Sequence, residues 1–310
     1  MRIAILTSGG DAPGMNAAIW GAVGEIAAAG GSALGIAGGL PGLLAGEARG
    51  ITPEQAARAA RHGGSWLGTG RLPDFEANRA ALIGAAARLE LDGLVILGGD
   101  GSLRAAAALA EDGLAVAAIP ATIDNDIAAT RRTLGFATAL ETGLMMADRL
   151  RDTAEALPRL FSLETLGGPT GYLAEALARL TRADLLLVPE IRGDRDEEAA
   201  RLSAAIAARG HALIVASEGV AGLEARLQAL AEAAGTRLRH TRLGHAQRGG
   251  APVAADRALA LASAEAAVAA LTAGRGGVMV LDGTGAVRLL PFAEAALKRP
   301  PFPAGWRGLL

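Results

Sequence analysis

RIAILTSGGDAPGMNAAIWGAVGEIAAAG, residues Arg2–Gly30, decides the fold. Its opening, Arg2 to Leu6, is almost continuously apolar and runs into a glycine pair, as a strand buried on both faces does. The stretch from Met15 reads as a helix stopped by Gly30 and Gly31. The same alternation continues down the chain. SALGIAGG reads as a strand. ITPEQAARAARHGG reads as a helix, with Thr52 as N-cap, Pro53 in its first position and Gly63 just past its end. NRAALIGAAARLELD is a helix, GLVILGGDGS a strand with a glycine-rich turn, LRAAAALAED a helix and LAVAAIP a strand. A long helical region follows in TRRTLGFATALETGLMMADRLRDTAEAL. After it come DLLLVPE, the helix RDEEAARLSAAIAARG, the strand HALIVASEG and the helix GLEARLQALAEAAG. Strands alternating with helices predict an α/β protein with mainly parallel sheets covered on both faces.

Composition narrows the classes. The 310 residues bury a sizeable core, and at 51% hydrophobic the chain is not disordered. Only 3% is aromatic, so Ala, Leu, Val and Ile fill that core. A net charge of -2 argues against a dedicated nucleic-acid binder. Without cysteine there is no disulfide, thiolate nucleophile or Cys-ligated metal. No apolar run approaches the roughly 20 residues that cross a bilayer. The N-terminus enters a strand without an apolar leader, so cytoplasm is the expected location and no membrane partner is expected. No fixed-period repeat and no Pro/Ser linker divide the chain.

Ligands of such sheets bind beyond the carboxyl ends of the strands. Four turns fall there: TSGGDAPG (Thr7–Gly14), GGDGS (Gly98–Ser102), ATIDND (Ala121–Asp126) and SEG (Ser217–Gly219). In GGDGS, glycines let backbone N–H groups approach phosphate oxygens, and the following helix start favours an anion. Asp100 suits Mg²⁺, which keeps waters and uses few carboxylates; Ser102 is placed to cap the helix. The plainer reading is a tight strand-to-helix turn. Gly9 or Gly10 would approach a second phosphate. No Walker A loop is present, so any nucleotide is held by other loop chemistry. In ATIDND, Asp124 and Asp126 follow an apolar strand. One can act as general base while the other orients it or helps hold a metal; the competing reading is an Asx-rich turn. LGHAQRGG (Leu243–Gly250) sets His245 and Arg248 three apart before a glycine pair, and an Arg fork matches phosphate. In GTGRLPDF, Arg71 follows another glycine-rich turn.

In combination these motifs resemble one family. LTSGGDAPGMNAAI, GGSWLGTGR, LGGDGS, PATIDND, LGF, RDT, VPE, SEG, GHAQRGG and KRP occur in the order of the phosphofructokinases, from Ile3 to about Trp306. The resemblance implies two Rossmann-like α/β/α lobes. Residues 1–135 with about 248–295 would form the nucleotide lobe, and 136–247 with about 296–310 the sugar-phosphate lobe. The family transfers a phosphoryl group from ATP, or in some members from pyrophosphate, to the 1-hydroxyl of fructose 6-phosphate.

By that resemblance Gly9 and Gly10 sit on the nucleotide phosphates, and Arg71 bridges the donor and the transferring group. Asp100 holds Mg²⁺, and Gly101 leaves room for ATP. Gly99 and Ser102 complete the phosphate loop, and Leu72, Phe75 and Arg79 line the nucleotide. Thr122 and Asp124 face the sugar's 1-hydroxyl, with Asp124 as base and Asp126 supporting it and the metal. Leu166, Gly167 and Gly168 flank the acceptor. Glu218 binds sugar hydroxyls, and His245 and Arg248 the sugar phosphate. Arg159 and Arg239 match positions that reach a neighbouring subunit's sugar phosphate, which implies at least a homodimer, with tetramers typical of the bacterial enzymes. Gly101 and Ala121 stand where pyrophosphate users carry an acid and a Lys, which favours ATP.

Two departures stand out. Leu166-Gly167-Gly168 replaces the family's Met-Gly-Arg, removing a charge; Arg131 and Arg132 either supply it or are an exposed basic pair. Trp20, Gly24 and Pro53 replace effector-binding arginines, and Leu40 an adenine-site Tyr, so little response to ADP or phosphoenolpyruvate is expected. The alternatives are a pyrophosphate-dependent enzyme, a kinase for another phosphorylated ketose, and a noncatalytic sensor. NAD and diacylglycerol kinases share GGDG but do not account for GHAQRGG.

Overall fold

A computed structural model describes residues 1–157 and 159–295. The tail, with KRP and the expected 296–310 segment of the sugar-phosphate lobe, lies outside the described residues. In chain order the elements begin β1 (Arg2–Ser8), α1 (Met15–Ala28), β2 (Ser32–Ile36), α2 (Leu40–Ala45), β3 (Ala48–Gly50) and α3 (Pro53–Ala59). Next come β4 (Thr69–Gly70), α4 (Phe75–Arg88), β5 (Gly93–Gly98), α5 (Asp100–Glu111), β6 (Val116–Thr122), β7 (Leu134–Gly135) and α6 (Phe136–Ala156). Then follow β8 (Leu160–Thr165), α7 (Tyr172–Thr181), β9 (Leu185–Leu187), α8 (Arg195–Arg209), β10 (Ala212–Ser217), α9 (Leu223–Ala233) and β11 (Leu238–Arg242). The last are α10 (Ala254–Thr272), β12 (Gly277–Leu281) and β13 (Val287–Leu290).

Two compact units result. The first holds Met1–Thr122, Asp126–Thr138 and residues 248–295; the second holds Ile123–Asn125 and Ala139–Gln247. The chain thus crosses to the second unit for three residues around Asp124, whose carboxylate lies beside Gly168 of that unit.

The first unit is built on a sheet in the order β13-β12-β6-β5-β1-β2-β3, with β4 added to β1 and β7 to β6. All its pairings are parallel except β2–β3 and β12–β13. Successive strand residues point to opposite faces. Ala4, Leu6, Leu94 and Ile96 pack on one face with Leu82 of α4 and Leu103 and Leu109 of α5. Ile3 and Ile5 therefore point to the other, where α1 and α10 pack. Burial on both faces is why these strands read as unbroken apolar runs, and each fully buried Ile or Leu contributes about 1.5–3 kcal/mol. The second unit carries the parallel sheet β11-β8-β10-β9. Helices cover it with two apolar clusters, one around Leu163, Val215 and Leu177, the other around Ile214, Leu202 and Leu227.

Local signals behave as read at α3, where Thr52 and Gln55 form a reciprocal capping box. The helix stops at Ala59, however, four residues short of Gly63. In α8, Asp194 accepts from the amides of Asp196 (2.9 Å) and Glu197 (3.0 Å).

One buried acid ties α10 to the start of α6. Asp256, in the first turn of α10, is 0% exposed. Its Oδ1 accepts from the Gly135 amide (3.1 Å), and its Oδ2 from the Thr138 amide (2.8 Å) and hydroxyl (2.6 Å). Burial pushes this carboxyl's pKa up, against those hydrogen bonds and the nearby Arg132 charge, which favour the anion. Asp256→Ala strands three donors, and we expect it to lower unfolding free energy by about 3 kcal/mol in denaturant titration; a change under about 1 kcal/mol would refute the assignment.

Candidate active site

In the first unit, the ends of β1, β4 and β5 carry several of the expected site residues. The β1–β4 pairing matches Thr7 with Thr69 and Ser8 with Gly70, so Gly9 and Arg71 are next in register. Thr69 Oγ1 donates to the Gly9 carbonyl (2.9 Å) and the Gly9 amide to the Gly70 carbonyl (3.2 Å). That amide is therefore committed within the protein. What Gly9 contributes is its φ of +85° and the absence of a side chain. A Cβ on Gly10 would lie 2.1 Å from Nη1 of Arg248, so a larger residue would push that guanidinium from its present place. The Nε of Arg248 is buried without a partner. Arg71 itself is exposed.

Beside them, Gly99 caps α5 in an extended conformation with no side-chain cap, and Asp100 opens the helix. The expectation that Ser102 caps this helix is wrong. Its side chain is inside the first turn, 6% exposed, and would lie within 2.6 Å of a Cβ on Gly98. The space beyond the Cα of Gly101 is open, with nothing within 4 Å of a Cβ there. Asp100 pairs with Arg104 at 2.5 Å. Among the described residues no cluster of three metal-ligating side chains exists. A single oxygen donor at a helix start fits Mg²⁺ held mainly by waters and phosphate oxygens, and does not fit a cage-bound metal.

ATIDND resolves into an alternation. Ile123, Asn125 and Ile127 are 2%, 6% and 0% exposed, whereas Thr122, Asp124 and Asp126 are half-buried. Asn125 turns the chain with φ +53°. The two acids are thus turned away from the buried positions.

In the second unit, Glu218 follows β10 and its Oε1 accepts from the amides of Gly167 (3.2 Å) and Gly168 (2.9 Å). Gly168 has φ +57°, and a Cβ there would lie 3.3 Å from Oδ2 of Asp124. The Gly167–Gly168 stretch is a bare backbone turn against Asp124. Its first residue, buried Leu166, donates its amide to Gln247 (2.7 Å), which in turn donates to the Ala139 carbonyl (3.3 Å). His245 is exposed on the 3₁₀ turn Gly244–Arg248.

Several expected site residues are not brought together. Arg159 precedes β8 and Arg239 is the second residue of β11, so both lie toward the amino ends of parallel strands. His245 follows the carboxyl end of β11, six residues beyond Arg239, roughly 15–20 Å if extended. Arg79 is engaged within the first unit. Its guanidinium is held by Asp112 (2.5 and 2.9 Å), Glu111 (3.2 Å) and the Ala108 carbonyl (2.7 Å), tying α4 to the end of α5. Leu72 and Phe75 pack against the core. Nor is the basic pair idle: Arg131 donates to the Gly283 carbonyl (3.1 Å) in the β12–β13 turn, and Arg132 lies near Asp256. The sequence reading misses Gln247 and Asp256, because buried polar residues bonded across more than 80 positions carry no local signal.

No helix among the described residues is long and apolar enough to cross a membrane. A family model described as phosphofructokinase matches residues 2–271. The ATP-dependent 6-phosphofructokinase 1 of a Thermus thermophilus strain is 40% identical over 305 residues, covering 96% of this chain and 94% of that protein. The ATP-dependent 6-phosphofructokinase of Yersinia pestis (strain Pestoides F) is 40% identical over 84% of this chain and 80% of its own length. Among solved structures, Pichia pastoris phosphofructokinase in the T-state superposes with a TM-score of 0.89 at 27% identity, over 95% of this chain. The chain spans only 35% of that larger Pichia polypeptide.

Proposed function

The chain belongs to the phosphofructokinase family, and we propose that it transfers the terminal phosphoryl group of ATP to the 1-hydroxyl of fructose 6-phosphate. The observation that carries this reading is the 40% identity, over nearly the full length of both chains, to an ATP-dependent 6-phosphofructokinase. The open space at Gly101 supports ATP over pyrophosphate, since no side chain stands where the longer donor would pass.

The roles follow from residue chemistry. Asp124 accepts the proton of the 1-hydroxyl. The alkoxide oxygen bonds to the γ-phosphorus as the bond to the β,γ-bridging oxygen breaks, and ADP leaves with that electron pair. Thr122 orients the hydroxyl, and Asp126 supports the base. Arg71 and the Gly9–Gly10 loop receive the phosphates, so catalysis is mostly positioning and charge neutralisation. Mg²⁺, when bound through Asp100, neutralises charge on the donor's phosphate oxygens. His245 and Arg248 hold the sugar phosphate, and Glu218 holds the Gly167–Gly168 turn while facing the sugar hydroxyls. Arg159 and Arg239, remote from His245 along their strands, serve the site of a second copy, so the active species is at least a dimer.

The test is an assay of purified protein with Mg²⁺, pairing ATP or pyrophosphate with a panel of phosphorylated ketoses. ATP with fructose 6-phosphate should be the fastest pair, and pyrophosphate should give no turnover above background. A faster reaction with another ketose would move the substrate assignment to the Gly168 turn. No turnover with any pair would make the chain a ligand-sensing relative.

A further inference from the structure

Asn16 lies in the first turn of α1 and is 3% exposed. A buried amide must find partners. Here all three of its recorded bonds go to one segment of chain. Nδ2 donates to the carbonyls of His62 (3.0 Å) and Gly63 (3.2 Å), and Oδ1 accepts from the Trp66 amide (2.6 Å). An Asn side chain offers two donors and one double acceptor, so both protons and one lone pair are spent on this segment. Residues 62–68 have no regular structure of their own and run directly into β4 and Arg71.

Other anchors lie within this segment and beyond it. Thr7 Oγ1 donates to the Gly68 carbonyl (2.8 Å) and lies 2.7 Å from Ser65 Oγ. Thr69 and Gly70 are bonded to Gly9 as described. Gly63 itself passes so close to the chain after Arg248 that a Cβ on it would sit 2.3 Å from the Gly250 carbonyl oxygen. The backbone leading to Arg71 is therefore fixed at nearly every second residue, while the arginine itself is exposed.

We infer that Asn16 is a positioning residue for Arg71: it fixes the 62–66 turn, and through it the placement of that guanidinium on the donor phosphates. The inference rests on the proposed role of Arg71. If Asn16 only stabilised the fold, its loss would act independently of Arg71.

A double-mutant cycle separates the cases. Asn16→Asp keeps the shape and the acceptor for Trp66 but turns the donor toward His62 and Gly63 into a second acceptor. It is expected to lower kcat about tenfold, the scale of a sub-ångström misplacement of a phosphate-binding group. KM for fructose 6-phosphate should stay within about twofold. In an Arg71→Ala background the same substitution should lower kcat by less than about twofold, because the group it positions is gone. Asn16→Ala removes all three bonds without adding charge. It should give the same coupling, and it decides the matter if the Asp variant does not fold. A full tenfold loss in both backgrounds, or an effect confined to sugar KM, overturns the inference. If Arg71→Ala alone leaves kcat unchanged, the role of Arg71 falls and the inference with it; if Arg71→Ala is impaired but neither Asn16 variant is, only the inference falls.

Discussion

Asp124→Asn is expected to lower kcat by about 10³-fold, within the 10²–10⁴-fold range for removing a positioned general base. The replacement is nearly isosteric, so the turn with buried Ile123 and Asn125 is kept and KM for either substrate should change by no more than about twofold. What is lost is an oxygen that can take the 1-hydroxyl proton as the P–O bond forms. The neighbouring acid gives an internal comparison. Asp126 is half-buried in the same alternation, so Asp126→Asn makes a similar change of charge two residues away. Its loss should be clearly smaller, because its role is support. Steady-state kinetics of the two variants with saturating ATP decide this. A loss below tenfold in Asp124→Asn, or an equal loss in both, would place the base elsewhere.

The sequence makes the strand ends legible because their chemistry is local. A fully buried strand shows as an apolar run, and the residues that follow β1, β5, β6 and β10 must be small or polar to leave the sheet. That rule singles out Gly9, Asp100, Asp124 and Glu218 as candidates. Strand β11 is harder to see. LRHTR is an edge strand, half-exposed, and its polar residues find partners on β8 and α9: His240 lies 2.8 Å from Ser162 Oγ and 3.0 Å from Glu164 Oε2, and Arg242 reaches both Glu164 and Glu224. Nothing nearby in sequence announces those partners. The same holds for arginines. Arg79 and Arg131 stand near phosphate-loop motifs in sequence, yet Arg79 is held by acids more than 30 residues away and Arg131 by a carbonyl 152 positions away. Charge type is readable from sequence, whereas the partner that uses it is set by tertiary packing. Glycine is the exception in the other direction, since Gly10 and Gly168 look like ordinary turn residues until the neighbour that needs the space is known.

Gly168 is also where an obvious repair should fail. Gly168→Arg would restore the residue usual in the family, and the naive expectation is a gain in phosphoryl transfer. We expect kcat to fall by about 10²-fold instead, because a side chain here is strained and its Cβ meets the carboxylate of Asp124. At φ +57° a non-glycine residue costs on the order of 1–2 kcal/mol. Its Cβ would stand 3.3 Å from Oδ2 of Asp124, so the base must shift by a few tenths of an ångström, and the longer arginine side chain adds to that shift. Displacing a reacting group by about 1 Å suffices for a 10²-fold loss. A guanidinium next to that carboxylate would also favour its ionised form and weaken it as a proton acceptor. Gly168→Ala separates these effects, as it brings the Cβ and the strain without the charge. About a tenfold loss is expected for the alanine variant. The alternative outcome is equally informative. If Gly168→Arg raises kcat or lowers the KM for fructose 6-phosphate, the turn can rearrange around Asp124, and its present geometry is a consequence of the missing side chain rather than its cause.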